Sequence, residues 1–326
     1  MAISKAFIGH GIFTEMSVTY AIDHYATYVS PNPANPPPKD NIDRFINALR
    51  DMHIAYVWIH LFSRGIDNEA GADGSPELRV ALIKRLNAAN IPWAGWGYCG
   101  GATRDDDLAL IKQFANDPQI ALSAFVIDSE PEKNKDEWPD TATFETFVAA
   151  VETKFSRDNV AISSWPVLYL HEDDKANTLM QAAARHVSAF APQVYWLDKP
   201  LPSNYDADYT ERDYPLHDPL AFVRLCLDDW SKYLTAWKRA DARIAAQLIV
   251  SGMTYWGEDN SPPLPIMEAK LENVVTNLPP AQWGRMIGFN WYHAGKPSSP
   301  AVGTMSSKMI TSITNAKMQL KPFQTP

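Results

Sequence analysis

Apolar positions along this chain gather into eight short runs rich in β-branched and aromatic residues, near 5–13, 54–62, 91–97, 120–128, 159–165, 188–195, 243–251 and 286–292. Continuous apolar runs of that length, set off by polar turn-formers, read as strands buried on both faces. The stretches 40–52, 77–90, 105–116, 141–155, 174–187, 218–239, 265–277 and 303–318 carry helix-compatible patterns instead. Asp40, Ser75-Pro76, Thr141 and Asp218-Pro219 supply N-cap and first-turn chemistry at four of these starts. Within 218–239, Phe222, Cys226, Trp230, Tyr233 and Trp237 step down one stripe by threes and fours, flanked by Leu225 and Leu234. That spacing assigns these aromatics to a core rather than to a ligand platform.

Eight strand-then-helix alternations with no break in composition point to a single (β/α)8 TIM barrel spanning 1–326. A doubly wound open sheet is the alternative. It would place a glycine-rich phosphate turn after the first strand, and Gly9-His10-Gly11-Ile12 fails the G-x-G-x-x-G pattern. Three connections exceed a simple βα loop: 14–39, which holds the proline-rich run 31–38, then 196–217 and 252–264. All three follow strands, so they are expected to gather on the C-terminal face of the barrel and wall a groove there.

With 46% hydrophobic and 21% charged residues, the chain has the composition of an ordinary globular protein. Its net charge of −9 disfavours nucleic acid and anionic membrane surfaces as partners, since both call for a basic face. No apolar segment reaches the ~18 residues of a membrane span, and the first ten residues lack a basic region followed by a long apolar stretch. The expectation is cytoplasmic synthesis, with phage-type or non-classical delivery if the target lies outside the cell. Cys99 and Cys226 sit in unrelated contexts and read as free, buried thiols. The 11 Trp and 13 Tyr carry more information, because such rings stack on the apolar faces of sugars while their polar edges hydrogen-bond.

The chemistry concentrates where the run 120–128 passes into Ser129-Glu130-Pro131-Glu132. With period-two alternation, Asp128 and Glu130 face the same way at a Cα separation of about 6.6 Å. Mutual repulsion and partial burial would raise the pKa of one of them, as a proton donor working near neutrality requires. The ends of the other strands add Trp96, Tyr98, Trp165, Gln193, Tyr195, Trp196, Trp291 and Tyr292. A carboxylate pair ringed by aromatics and amides suits a neutral polyhydroxylated ligand better than a phosphate or a metal. His10, His60 and His293 lack H-x-H or H-E-x-x-H spacing, so neither metal nor cofactor is expected. Ser163-Ser164 lacks the G-x-S-x-G of a serine nucleophile. The competing reading of the carboxylate pair is a loop cap or an ion pair with Arg64.

Phe125-Val-Ile-Asp128-Ser-Glu130 resembles the D-x-E that ends the fourth strand of barrel glycoside hydrolases, notably family 18 chitinases and family 25 lysozymes. Ala191-Pro-Gln-Val-Tyr195-Trp196 and Gly288-Phe-Asn-Trp291 are similar to the family 18 segments that supply a Tyr and a Trp to the sugar-binding floor. The resemblance implies Glu130 as general acid, Asp128 orienting the substrate's N-acetyl group as internal nucleophile, Tyr195 bonding that group and Trp291 stacking beneath the ring. Trp96, Tyr98, Trp165, Gln193, Trp196 and Tyr292 would complete the substrate contacts. The pattern departs from D-x-x-D-x-D-x-E at Ser123 and Val126, and Phe7-Ile-Gly-His-Gly-Ile-Phe13 lacks the first-strand Asp of family 25, so the likeness reaches a superfamily only. It implies a glycoside hydrolase, endo-acting on a β-linked N-acetylhexosamine polysaccharide such as peptidoglycan or chitin. A carbohydrate-binding barrel without turnover is the alternative. Outside a substrate-assisted scheme a second carboxylate is needed, and Glu15, Asp198 and Glu258 are the candidates.

Overall fold

A computed structural model describes residues 3–14, 17–71, 74–130, 138–169, 176–194, 218–239, 241–248, 273–274, 276–279 and 286–293, with backbone alone at 24, 176, 245–248, 289 and 291–293. Its eight principal strands are β1 (Gly9–Thr14), β2 (Tyr56–Ser63), β4 (Trp93–Tyr98), β5 (Phe125–Asp128), β6 (Val160–Ser164), β7 (Ala189–Val194), β8 (Arg243–Leu248) and β9 (Met286–His293), with a two-residue β3 (Ile66–Asp67) turning back on β2. The eight pair in parallel in chain order, and β9 returns to β1, so the sheet closes into a barrel. Helices α1 (Val18–His24), α2 (Asn41–Asp51), α3 (Pro76–Ala88), α4 (Arg104–Asn116), α5 (Thr141–Phe155), α6 (Ala176–Ala183) and α7 (Pro219–Ala236) fill the crossovers. This is the (β/α)8 barrel expected from the alternation. The helix expected at 303–318 lies outside the described residues, and only 273–274 and 276–277 of 265–277 are described as helical.

Local chemistry accounts for most boundaries. Asp40, Ser75 and Asp218 each accept from the backbone N–H three residues on, at 2.8, 3.1 and 3.1 Å. The cap of α5 is Asp140, whose carboxylate accepts from Thr143 N at 2.6 Å, so Thr141 is the first helical residue and not the cap. The first strand is shorter than its apolar run because Lys5–Phe7 winds into a 3-10 turn capped by Ser4. The run 120–128 pairs only from Phe125. Pro118 follows the end of α4, and Ala121 turns left-handed at φ 49° with its N–H on Asp117 O, which delays entry into the sheet.

Two apolar layers form. The larger lies between sheet and helices and includes Phe222, Cys226, Trp230, Tyr233 and Leu234, as the α7 stripe requires. The smaller fills the barrel: Phe7, Phe13, Tyr56, Trp58 and Trp96 come from the β1–β2–β4 side, and Ala124, Ala161, Ala189 and Ala191 face them from β5 to β7. Large rings on one wall thus reach across to small residues on the other. Gly11 is part of that fit, since a Cβ there would stand 2.0 Å from the Tyr56 ring. Cys99 and Cys226 are free and buried, and burial pushes both thiols well up.

The proline-rich run does not wall the mouth. Asn35 Nδ2 and Tyr28 Oη donate to Asp51 at 2.8 and 2.7 Å, and Asn47 Nδ2 donates to Pro36 O at 2.9 Å. Asp51 closes α2, which runs back from the strand C-termini, so these bonds hold 28–36 against the C-terminal half of α2, away from the mouth. The loops 196–217 and 252–264 lie outside the described residues.

Candidate active site

The strand register brings Tyr98, Asp128 and Ser163 side by side, through the pairs Tyr98 with Asp128 and Asp128 with Ser163. Parallel partners in register face the same way, and the inner-layer parity of Trp96, Val126 and Ala161 directs this row into the barrel mouth. Ser163 Oγ donates to Asp128 Oδ1 at 2.7 Å. Gln193 stands one pleat above Ala191, the register partner of Ser163, and reaches back to donate from Nε2 to the same oxygen at 3.0 Å and to Ser163 Oγ at 3.2 Å. Two donors on one carboxylate oxygen favour the ionised form and fix the plane of the group. Gln193, expected among the substrate contacts, is 6% exposed and donates to Asp128.

Glu130 follows the last paired residue of β5 and is half-buried. The segment under it is anchored: Ser129 N donates to Ser163 O at 3.1 Å, and Trp138 Nε1 donates to Ser129 Oγ at 3.0 Å. Tyr98 faces both carboxylates. Burial pushes its phenol above the ordinary value, the Arg64 hydrogen bond pulls it back, and the Glu130 and Asp128 charges push it up again. Arg64 joins this row at Tyr98, with Nη2 donating to the phenol oxygen at 3.2 Å.

Trp96 lies beneath this row and is 8% exposed. Its Nε1 donates to Thr14 O at 2.9 Å, and the His60 ring stacks on it at a centroid distance of 3.6 Å and an interplanar angle of 9°. One face of the indole is thus already covered by protein. Burial holds His60 down at about 3, so it is neutral at physiological pH, and its Nε2 lies 3.0 Å from Ser63 Oγ. Trp165 is half-buried just past β6, and its carbonyl accepts from Trp230 Nε1 at 3.1 Å. Trp291 and Tyr292 are placed by register alone, opposite Ile12 and Phe13. Tyr195, Trp196, Glu15, Asp198 and Glu258 lie outside the described residues.

Two buried carboxylates absent from the expected set hold the rim. Asp107, at the start of α4, accepts from Gly65 N at 2.7 Å, Gly100 N at 3.1 Å and Thr103 Oγ1 at 3.0 Å. Glu69 accepts from Val18 N and Ser75 N, both at 2.7 Å, tying the loop after β1 to the loop after β2. Asp67 adds a bidentate pair with Arg79 at 2.7 and 3.1 Å. Burial raises the pKa of both Glu69 and Asp107 despite these donors. Asp107→Ala is expected to cost about 2–3 kcal/mol in a denaturant titration, because it strands two backbone N–H groups. Unchanged stability would mean that water replaces the carboxylate.

Among the described residues no group of three or more His, Cys, Asp or Glu could hold a metal ion, and no helix is long and apolar enough to cross a membrane. No protein-family model matches the sequence, and no curated protein matches it. Solved structures do match in fold. A fungal β-1,4-galactanase aligns over 94% of this chain and 98% of its own at TM-score 0.57 and 11% identity. A chitinase from Chromobacterium violaceum aligns over 96% and 99% at TM-score 0.53 and 12% identity. A class V chitinase from Pseudomonas fluorescens aligns over 94% and 98% at TM-score 0.51 and 13% identity. At these identities the likeness establishes a shared barrel.

Proposed function

We propose that the protein is a glycoside hydrolase with Glu130 as general acid, acting on a β-linked polysaccharide. The observation that carries this reading is the placement of Asp128 and Glu130 together at the C-terminal mouth of a closed barrel, Asp128 held by Ser163 and Gln193. Active sites of such barrels lie at that face. Glycosidic cleavage needs a proton on the departing oxygen and negative charge or an internal nucleophile near the anomeric carbon. Glu130, half-buried at the rim, supplies the proton. Asp128, its Oδ1 accepting from two neutral donors, either orients the substrate's acetamide or stabilises the oxocarbenium-like carbon directly.

The solved structures that share this barrel, a β-1,4-galactanase and two chitinases, support a polymer of β-linked sugars as the substrate class. An N-acetylhexosamine polymer, chitin or peptidoglycan, is the first choice because the D-x-E segment and the Tyr195 and Trp291 segments resemble those of family 18. Trp165 and Tyr98 line the approach, with Trp96 beneath. Tyr195, Trp196, Trp291 and Tyr292 complete the proposed contacts.

The competing reading is a sugar-binding barrel without turnover, favoured by Ser123 and Val126 in place of two aspartates. Incubation with chitin, peptidoglycan, β-glucan and β-1,4-galactan, followed by assay of released reducing ends, separates the two. Hydrolysis of at least one polymer is expected. Retention on a polymer with no release of ends would favour the binding barrel.

A further inference from the structure

The hairpin at the end of β2 carries the mouth row one strand beyond the barrel. Only Arg64 and Gly65 join β2 to β3, at φ 47° and 75°, the two left-handed residues that a two-residue hairpin loop favours. β4 holds one edge of β2, so β3 takes the other edge, above the last pair with β1 at Phe13 and Trp58. Ser63 therefore pairs with Tyr98 on one side and with Ile66 on the other. Register partners share a face, so the row Ser163, Asp128, Tyr98, Ser63 ends on Ile66. The alternation agrees, because Asp67 turns the opposite way onto Arg79 of α3, at 2.7 and 3.1 Å.

Ile66 is 69% exposed. Among the described residues the other large aliphatic side chain left in solvent is Val29, which belongs to the strap on α2. A single exposed apolar residue is ordinary on a surface and by itself signals nothing. This one is presented from a braced support. Gly65 N donates to Asp107 at 2.7 Å, Arg64 N donates to Tyr98 O at 2.8 Å, Asn68 N donates to Leu61 O at 3.0 Å, and Arg79 clamps Asp67. The hairpin thus holds an apolar side chain in water on the face of Asp128, three strand spacings or about 14 Å along the row from it. That is too far for the sugar under cleavage and within reach of a neighbouring unit of an extended chain.

We propose that Ile66 is an outer contact for the polysaccharide, packing on the apolar face of a sugar unit beyond the one that Asp128 and Glu130 engage, and so favouring long chains over short ones. Sugar rings carry C–H patches between their hydroxyls, and seating one on Ile66 removes apolar area of both partners from water. Because the hairpin is braced before the chain arrives, little ordering cost offsets that gain. The contact rests on the polysaccharide reading of the mouth but not on turnover.

The test is binding of the full chain, carrying Glu130→Gln so that nothing is cut, to the four polymers and to oligomers of graded length from whichever polymer is retained. Adding Ile66→Thr, which keeps the β-branch that suits the hairpin, is expected to weaken retention by about threefold to tenfold with an unchanged melting temperature. The loss should fall on the long oligomers. Ile66→Trp should bind at least as tightly as Ile66, since a broad ring covers more of a sugar face. Unchanged retention in Ile66→Thr, an equal loss on the shortest oligomer, or a matching loss in Ile66→Trp overturns the contact and leaves the hydrolase standing. Weakened retention of long chains, in a protein whose unsubstituted form releases no ends from any polymer, keeps the contact and sinks the hydrolase. Retention on none of the four polymers sinks both.

Discussion

Glu130→Gln should lower kcat on the cleaved polymer by about 10²–10⁴-fold while leaving retention on that polymer intact, the range a positioned general acid contributes. The amide has nearly the same shape as the carboxylic acid but cannot surrender a proton to a departing oxygen. Glu130 sits past the last paired residue of β5, so the change strands no strand hydrogen bond and the fold should persist. Reducing-end release against a binding isotherm on the insoluble substrate separates lost chemistry from lost affinity. A variant that keeps more than about a tenth of the wild-type rate would remove Glu130 from the acid role.

Asp128→Asn carries the second large effect, about 10²-fold in kcat, a magnitude in line with losing one preorganised electrostatic partner of the transition state. An asparagine oxygen can still accept from Ser163 Oγ and Gln193 Nε2, so the network's geometry survives while its charge is gone. The loss should therefore fall on kcat with KM little changed, the signature of an interaction made mainly in the transition state. Asp128→Ala differs in kind. It leaves two buried donors facing a void, and stability should fall together with activity. If Asp128→Asn turns over at the wild-type rate, Asp128 is a structural cap.

The barrel was legible in the sequence because a closed parallel sheet is buried on both faces, and eight apolar runs separated by helix patterns have few other packings. Asp128 and Glu130 were legible for a related reason: the carboxylates interrupt an apolar run at the end where a barrel strand opens. What escaped depends on contacts between distant segments. Gln193 was visible as a strand-end residue and Ser163 only as a hydroxyl without a nucleophile's motif, and their convergence on one oxygen follows from register across three strands. Glu69 and Asp107 were not singled out, since beside their local donors each accepts from a backbone N–H that only the fold brings near, 51 and 42 residues away. The proline-rich run misled through its stiffness. Proline suits a strap as well as a cleft wall, and Asp51 and Asn47 tie this run to α2.

The measurement that reaches the central claim most directly is leaving-group dependence. With the sugar that the wild type releases built into aryl glycosides, Glu130→Gln should cleave a dinitrophenyl glycoside at a rate within about tenfold of wild type, because that leaving group departs without protonation, yet remain 10²–10⁴-fold impaired on the native polymer. An equal loss on both substrates would contradict proton donation by Glu130.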